Sequence, residues 1–96
     1  MTAPPLGRVV ATPGALKLLM EIGEDPFGYI ARHAAGDWGN LCAFDRRQNE
    51  IALREGYRVL SSYEVLAGKI WIITEADRSI TTLSPGTITR MDACSA

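Results

Sequence analysis

The spacing of apolar residues changes at Gly56, and this change limits the fold more than any other feature of the sequence. Before Gly56, apolar residues recur every three or four positions, which is the period of a helix buried along one side. After it, apolar and polar residues alternate, which is the period of a strand with one buried face. Helices followed by strands predict an α+β domain in which the helices pack on one face of an antiparallel sheet.

Two pairs of residues mark where helices begin. Thr12-Pro13 and Asp25-Pro26 each combine a side chain that can cap a helix with a proline suited to the first helical position. Glycines follow the apolar stripes at positions 23, 36 and 56 and are typical of helix ends. These signals predict three helices, over residues 13–22, 26–35 and 41–55.

The second half of the chain carries three strand-like segments. Alternation from Tyr57 to Val65 is followed by KIWIITE and SITTL, which are rich in β-branched and aromatic residues. We therefore predict a three-stranded antiparallel meander packed on the three N-terminal helices. If Ala76-Asp77 forms a two-residue turn, Glu75 and Arg78 face each other and are expected to form an ion pair.

One domain is expected over residues 1–96, because a chain this short has room for one core. Its ordered part is predicted to cover residues 12–84, with a flexible leader over 1–8 and a flexible tail over 85–96. The polar residues of the third helix, Asn49 among them, are expected on the outer side of that helix. Nine apolar residues are predicted to form the core: Leu16, Leu19, Phe27, Ile30, Phe44, Ile51, Val59, Ile72 and Leu83.

The charge balance and the cysteine count exclude several classes of function. Ten basic and eleven acidic residues give a net charge of −1, which argues against general nucleic-acid binding and against a DNA mimic. Two cysteines without CxxC spacing and a single histidine, His33, predict neither a metal site nor a cofactor. No apolar stretch is long enough for a membrane span and no signal-peptide pattern is present, so a cytoplasmic location is expected.

No known catalytic motif occurs, and no catalytic residue is assigned. The GDWG segment, residues 36–39, has two interpretations. Its glycines can form a tight turn whose tryptophan covers the core, or Trp38 can serve as the anchor of an interface. His33 is interpreted as a partner of a helix C-terminus rather than as a catalytic base.

The segments RHAAGDWG, ALREGYR and WIITEADRSITT resemble a family of small uncharacterised bacterial proteins, often encoded on plasmids and other mobile elements and described as plasmid-related proteins. The resemblance covers residues 12–83. The family pattern usually closes with a leucine-proline segment ending in acidic residues and tyrosine, and LSPGTITRMDACSA departs from it. The resemblance implies a compact accessory protein of mobile DNA that binds another macromolecule, as anti-CRISPR and anti-restriction inhibitors do.

The function predicted from these features is that of a small, non-enzymatic protein-binding factor that inhibits a protein or ribonucleoprotein effector of host defence. GDWG and TEADR, residues 74–78, are expected to meet on one surface. The alternatives are a small hydrolase or nuclease that uses the polar residues of these two segments, or a component of a toxin–antitoxin pair. No membrane partner is expected, and a homodimer is left open. The predicted binding residues are Asp37, Trp38, Arg46, Arg47, Asp77 and Arg78.

Overall fold

The computed structural model of the chain describes residues 6–66 and 68–86. Among them, no helix is both long and apolar enough to cross a membrane. The elements in chain order are β1 (Arg8–Ala11), α1 (Pro13–Ile22), α2 (Pro26–Ala34), α3 (Ala43–Glu55), β2 (Val59–Val65), β3 (Gly68–Thr74) and β4 (Ile80–Gly86).

The two predicted helix starts are confirmed. The Thr12 side chain accepts a hydrogen bond of 3.2 Å from the Ala15 N–H, and the Asp25 carboxylate accepts one of 2.9 Å from the Phe27 N–H. The helix α3 begins two residues later than predicted and has no side-chain cap. The sequence therefore held no local signal for that boundary.

The predicted three-stranded meander was wrong. The sheet has four strands in the order β1-β4-β3-β2, and β1 runs parallel to β4 at its edge. One strand, β1, thus precedes the helices in the chain and joins the same sheet as the three strands that follow them. The four residues of β1 are too few to show an alternating pattern, and the pairing of Val9 with Thr81 is a contact between distant positions that no local signal reports.

All three helices pack on one face of the sheet, which we call the inner face. The helices α1 and α2 cover a core built around Leu19, Tyr63 and Ile72, whereas α3 covers Val59 near the β2 edge. Most of the expected leader and tail lies outside the described residues, although Arg8 belongs to β1 and the end of β4 reaches Gly86.

Only part of the predicted core is buried. Leu19, Val59, Ile72 and Leu83 are buried as predicted, and Ile30 and Ile51 are half-buried. Leu16, Phe27 and Phe44 are 41%, 72% and 63% exposed, so their assignment to the core was wrong. Buried hydroxyl and imidazole groups, those of His33, Ser61, Thr74 and Thr81, occupy part of the inner face.

The opposite face of the sheet, which we call the outer face, is not covered by any of the three helices. The strand register places one row of side chains across all four strands, and Trp71 lies in the next row between two serines. The apolar residues of these two rows are half-buried. The row across the outer face consists of Val10, Thr82, Ile73 and Leu60.

Candidate functional site

The GDWG loop is attached to the free edge of β2. Gly39 forms a parallel bridge with Ser62, whose N–H donates to the Trp38 carbonyl at 3.1 Å. The Asn40 N–H donates to the Ser62 carbonyl at 2.6 Å, and the Asn40 side chain accepts from the Glu64 N–H at 2.8 Å. Gly39 has a φ of 74°, and a Cβ at this position would overlap the Ser62 carbonyl oxygen. Only glycine fits this approach.

Trp38 points into the protein rather than outward. It is 8% exposed and packs in a cluster with Ala52 of α3 and Val59 of β2. This burial favours the interpretation in which the tryptophan covers the core. The indole ring is therefore not presented to a partner at the surface of the described residues.

The side chains of Arg32 and Tyr63 hold the start of the GDWG loop. The Arg32 guanidinium donates to the Asp37 carboxylate at 2.7 Å and lies 4.6 Å from the centre of the Tyr63 ring. This hydrogen bond from Arg32 lowers the pKa of Asp37, whereas burial raises the pKa of Tyr63 to about 12. The Tyr63 hydroxyl donates to the Asp37 carbonyl at 2.6 Å. Asp37 is thus an exposed residue whose backbone and side chain are both held within the molecule.

The two predicted arginines of α3 differ in their surroundings. Arg46 donates to the Gly39 carbonyl at 2.6 Å and to the Leu41 carbonyl at 3.2 Å, and thereby ties the loop to the first turn of the helix. Arg47 is exposed on the same helix. Arg46 would have to release the Gly39 carbonyl to bind a partner, whereas Arg47 has no such loop contact to release.

The TEADR turn binds the other end of α3. Arg78 has a φ of 61°, and its guanidinium donates to the carbonyl oxygens of Tyr57 at 2.7 Å and Ala52 at 3.1 Å. The expected ion pair between Glu75 and Arg78 was wrong, because Glu75 instead pairs with Arg58 at 3.3 Å. The turn is not the simple two-residue hairpin assumed from the sequence.

Asp77 caps the same turn. Its carboxylate accepts hydrogen bonds from the Ser79 hydroxyl at 2.6 Å and from the Ser79 N–H at 3.0 Å. The hydroxyl contact is the main cause of a lowered Asp77 pKa. Both contacts are local, so they explain the shape of the turn without requiring a ligand.

The GDWG and TEADR segments contact different residues of β2. The Asp37 carbonyl binds Tyr63, whereas the TEADR turn lies beyond Thr74, which pairs with Val59. Tyr63 and Val59 are four residues apart on β2, a distance of roughly 13 Å along a strand. Trp38 lies in one cluster with Ala52, and the Ala52 carbonyl accepts a hydrogen bond from Arg78. The expected meeting of GDWG and TEADR on one surface stays a prediction.

His33 belongs to a buried network that the sequence did not reveal. Its Nδ1 lies 2.6 Å from the Ser61 hydroxyl and its Nε2 lies 2.8 Å from the Thr74 hydroxyl. Thr74 lies 2.8 Å from the Thr81 hydroxyl, which donates to the Leu6 carbonyl at 2.7 Å. These polar groups stand on three neighbouring strands beneath α2, and only the tertiary fold brings them together.

The order of protons in this network follows from the single hydrogen on each hydroxyl. Thr81 gives its hydrogen to the Leu6 carbonyl, so Thr74 must donate to Thr81 and accept from His33. His33 therefore carries its proton on Nε2, and its Nδ1 accepts from Ser61. Burial lowers the pKa of His33 to about 4, which is consistent with this neutral form.

The short contact between His33 and Ser61 has the spacing of a base and a nucleophile. Ser61 is fully buried and His33 is 3% exposed, so a substrate has no access to either side chain. Thr74 occupies the position where a catalytic dyad would have a carboxylate. We interpret the network as structural. No group of three or more potential metal-ligand side chains occurs among residues 6–66 and 68–86.

Asn49 also lies on the inner side of its helix, contrary to prediction. Its side-chain amide donates to the Leu60 carbonyl at 2.6 Å, and its carbonyl accepts from the Leu60 N–H at 3.0 Å. This pair of bonds imitates a neighbouring strand. A helical pattern does not distinguish such a buried asparagine from a solvated one, and no signal in the sequence pointed to this role.

Comparison of the chain with protein-family models, with curated proteins and with solved structures found no match. The outer face is a partly apolar surface that the three described helices leave uncovered. Trp71 lies on it, and its indole ring is close enough to Gly86 to fill the space of a missing side chain.

The charged residues of the outer face lie at its margins, and Arg8 lies on the same face at the β1 edge. Arg58 and Glu75 form an ion pair at one end, and Glu64 lies opposite Lys69 in the register at the other. The centre between these charged residues contains Trp71 and Ile73, with serine and threonine neighbours. Large apolar side chains at the centre of a polar rim are typical of a surface that binds another protein.

Proposed function

We propose that this chain is a small, non-enzymatic protein-binding factor of mobile genetic elements, and that it acts by covering a protein effector of host defence. The observation that carries the proposal is the uncovered outer face of the sheet, with Trp71 near its centre. The resemblance of its motifs to plasmid-related proteins supports the biological context. The proposed factor acts in the cytoplasm of the bacterial host.

The charge distribution favours a protein over a nucleic acid as the partner. Two acidic residues, Glu64 and Glu75, balance most of the basic residues of the outer face, so it is not the strongly basic surface that phosphate groups require. Tryptophan and isoleucine at the centre suit an apolar patch on another protein. We therefore place the anchor of the interface at Trp71 instead of Trp38, whose ring is buried.

The remaining predicted binding residues have unequal parts in this proposal. Arg46 and Arg78 hold backbone carbonyls of their own chain, so replacing them would disturb the fold before it disturbed binding. Asp37 is held by Arg32 in the same way. Arg47 and Asp77 are exposed and stay candidates for contacts at the margin of the interface, where charges mainly assist encounter.

The experiment measures how efficiently a targeted plasmid is established in bacteria with an active defence system, with and without this protein. We expect the wild type to raise that efficiency and Trp71→Ala and Ile73→Lys to abolish the gain. Phe27→Ala is the matched control, because Phe27 is an exposed aromatic residue on α2, on the other side of the sheet. Circular dichroism first establishes that every variant is folded.

Binding is measured in a second step with the purified effector of the protected system. The wild type should bind it directly, the two outer-face variants should lose at least tenfold in affinity, and Phe27→Ala should keep it. If no defence system is affected by the wild type, the host-defence proposal fails. If protection survives both outer-face changes but is lost in Arg47→Glu, the interface lies on α3 instead.

A further inference from the structure

The two edges of the sheet are treated differently by the chain. Along β2, the outward backbone groups of Leu60 and Ser62 are bound by Asn49 and by the GDWG loop. The other edge is β1, and no strand among the described residues pairs with its outer side. An edge with unpaired backbone groups is a template for another strand.

The backbone groups at the open edge can be assigned from the hydrogen bonds to β4. The Arg8 N–H donates to the Ser79 carbonyl at 3.0 Å, and the Thr12 N–H donates to the Leu83 carbonyl at 2.9 Å. Alternate residues of a strand share a direction, so Val10 also faces β4. The N–H and C=O groups of Val9 and Ala11 therefore point away from the sheet, and the Val9 side chain is 41% exposed.

We propose that this edge binds the β1 strand of a second copy of the chain, in antiparallel orientation. A two-fold axis beside Val10 places Val10 opposite Val10 of the second copy and Val9 opposite Ala11. Each of the two Val9–Ala11 pairs forms two hydrogen bonds, so all four outward N–H groups and all four outward carbonyls of the two strands are satisfied. The Arg8 side chains oppose Thr12 rather than each other, so the register contains no like-charge pair.

The surroundings of β1 fit a partner strand of the same short length. Gly7 has a φ of 65° before the strand, and Pro13 begins α1 directly after Thr12, so a longer partner would find no further ladder. In the dimer, the two remaining edges of the sheet are the β2 strands, and because both are covered, neither can add a third copy. The assembly therefore closes as a symmetric dimer with an eight-stranded sheet and does not grow into a fibre. This inference goes beyond the proposed function, since the outer face stays free.

The first experiment is sedimentation equilibrium of the full chain over a wide concentration range. A four-residue ladder buries less surface than a standard interface, so we expect a weak dimer whose fraction rises with concentration up to about 1 mM. Val9→Pro removes only an outward N–H and should weaken dimerisation at least tenfold while the monomer stays folded. Phe27→Ala leaves the edge intact and should dimerise as the wild type does. A wild type that stays monomeric throughout, or a folded Val9→Pro variant that dimerises as well as wild type, overturns the proposal.

The second experiment tests the register and does not depend on proline being tolerated. Opposed residues in a non-hydrogen-bonded antiparallel pair have Cα atoms about 4.5 Å apart, which a disulfide can span. Val10→Cys should therefore form a covalent dimer under mild oxidation, above the level of wild-type protein treated in the same way. Thr82→Cys is the matched control, because Thr82 lies beside Val10 on the same face but one strand further from the axis. Equal cross-linking of the two variants contradicts the register.

Discussion

The β1 and β2 edges of the sheet differ in how their outward backbone N–H and C=O groups are satisfied. The β2 edge is seven residues long and is covered by the chain itself, through Asn49 and residues 38–40. The β1 edge has four residues, and no strand within residues 6–66 and 68–86 pairs with its outer side. Long unpaired edges invite aggregation, whereas short ones expose few groups and can be reserved for a specific partner. The longer β2 edge has more backbone groups to satisfy, and the polar residues near it, such as Asn40 and Asn49, bind those groups.

The cover on β2 consists of groups that looked functional in the sequence. Gly39 permits the close approach, Asn40 and Asn49 supply amide groups, and Trp38 fills the space behind them. These residues resemble a binding motif because both uses require a glycine turn and polar side chains. Their hydrogen bonds to β2 show which use the chain makes of them.

The largest expected effect comes from removing the close approach at the β2 edge. Gly39→Ala should lower the free energy of unfolding by about 3 kcal/mol or more, because its Cβ meets the Ser62 carbonyl in addition to the left-handed φ. Gly36→Ala is the control, since Gly36 also has a positive φ but no atom within 4 Å of the added Cβ. It should cost about 1–2 kcal/mol. Equal losses in urea denaturation would show that the contact with Ser62 contributes nothing.

The next effect concerns the buried network that joins the β2 side of the sheet to Leu6, just before β1. Burial lowers the pKa of His33 from 6.5 to about 4, so the unfolded chain binds a proton at a higher pH than the folded chain. The contribution of neutral His33 is complete above pH 6.5 and is lost as the pH falls from 6.5 to 4. The wild type should lose about 3 kcal/mol over this window.

Urea denaturation at pH 7 and pH 4.5 measures most of this loss. His33→Gln keeps one donor and one acceptor but does not titrate, so its stability should change much less between the two pH values. The window lies above the lowered pKa values of Asp37 and Asp77, which separates their effect from that of His33. A variant as sensitive to pH as the wild type would assign the acid loss to other groups.

A smaller effect is expected from opening the covered edge without disturbing the loop. Asn49→Leu leaves the N–H and carbonyl of Leu60 without partners and should cost about 2 kcal/mol. The exposed edge should also increase aggregation, measured by light scattering at equal fractions folded. Gln48→Leu changes the exposed neighbour on the same helix and should alter stability by less than about 0.5 kcal/mol. Similar aggregation of both variants would attribute it to the added leucine alone.

The smallest expected effect is a difference in amide hydrogen exchange between the β1 and β2 edges. The Ser62 N–H is bonded within the chain and should be protected equally at every protein concentration. The Val9 and Ala11 N–H groups face outward and should exchange rapidly in dilute protein, with protection that rises as the second copy binds. Concentration-independent protection at Val9 would mean that the β1 edge is covered within one chain.

Local signals in the sequence determined the helices and three of the strands. Thr12 and Asp25 cap helices because their side chains reach N–H groups two or three residues away, and such contacts can be inferred from neighbouring residues. Alternation from Tyr57 to Val65 likewise identified the buried face of β2, since successive side chains of a strand point to opposite sides. Both rules act within a few positions.

Only the tertiary structure decided where β1 pairs, which apolar residues are buried, and what the polar residues do. The pairing of Val9 with Thr81 and the contact of His33 with Thr74 join positions far apart in the chain. A short strand and a lone histidine each fit many folds when taken alone. The sequence determined which elements form because those energies are local, whereas the use of Trp38, Asn49 and Arg78 depended on backbone groups that only the assembled sheet and α3 bring within reach.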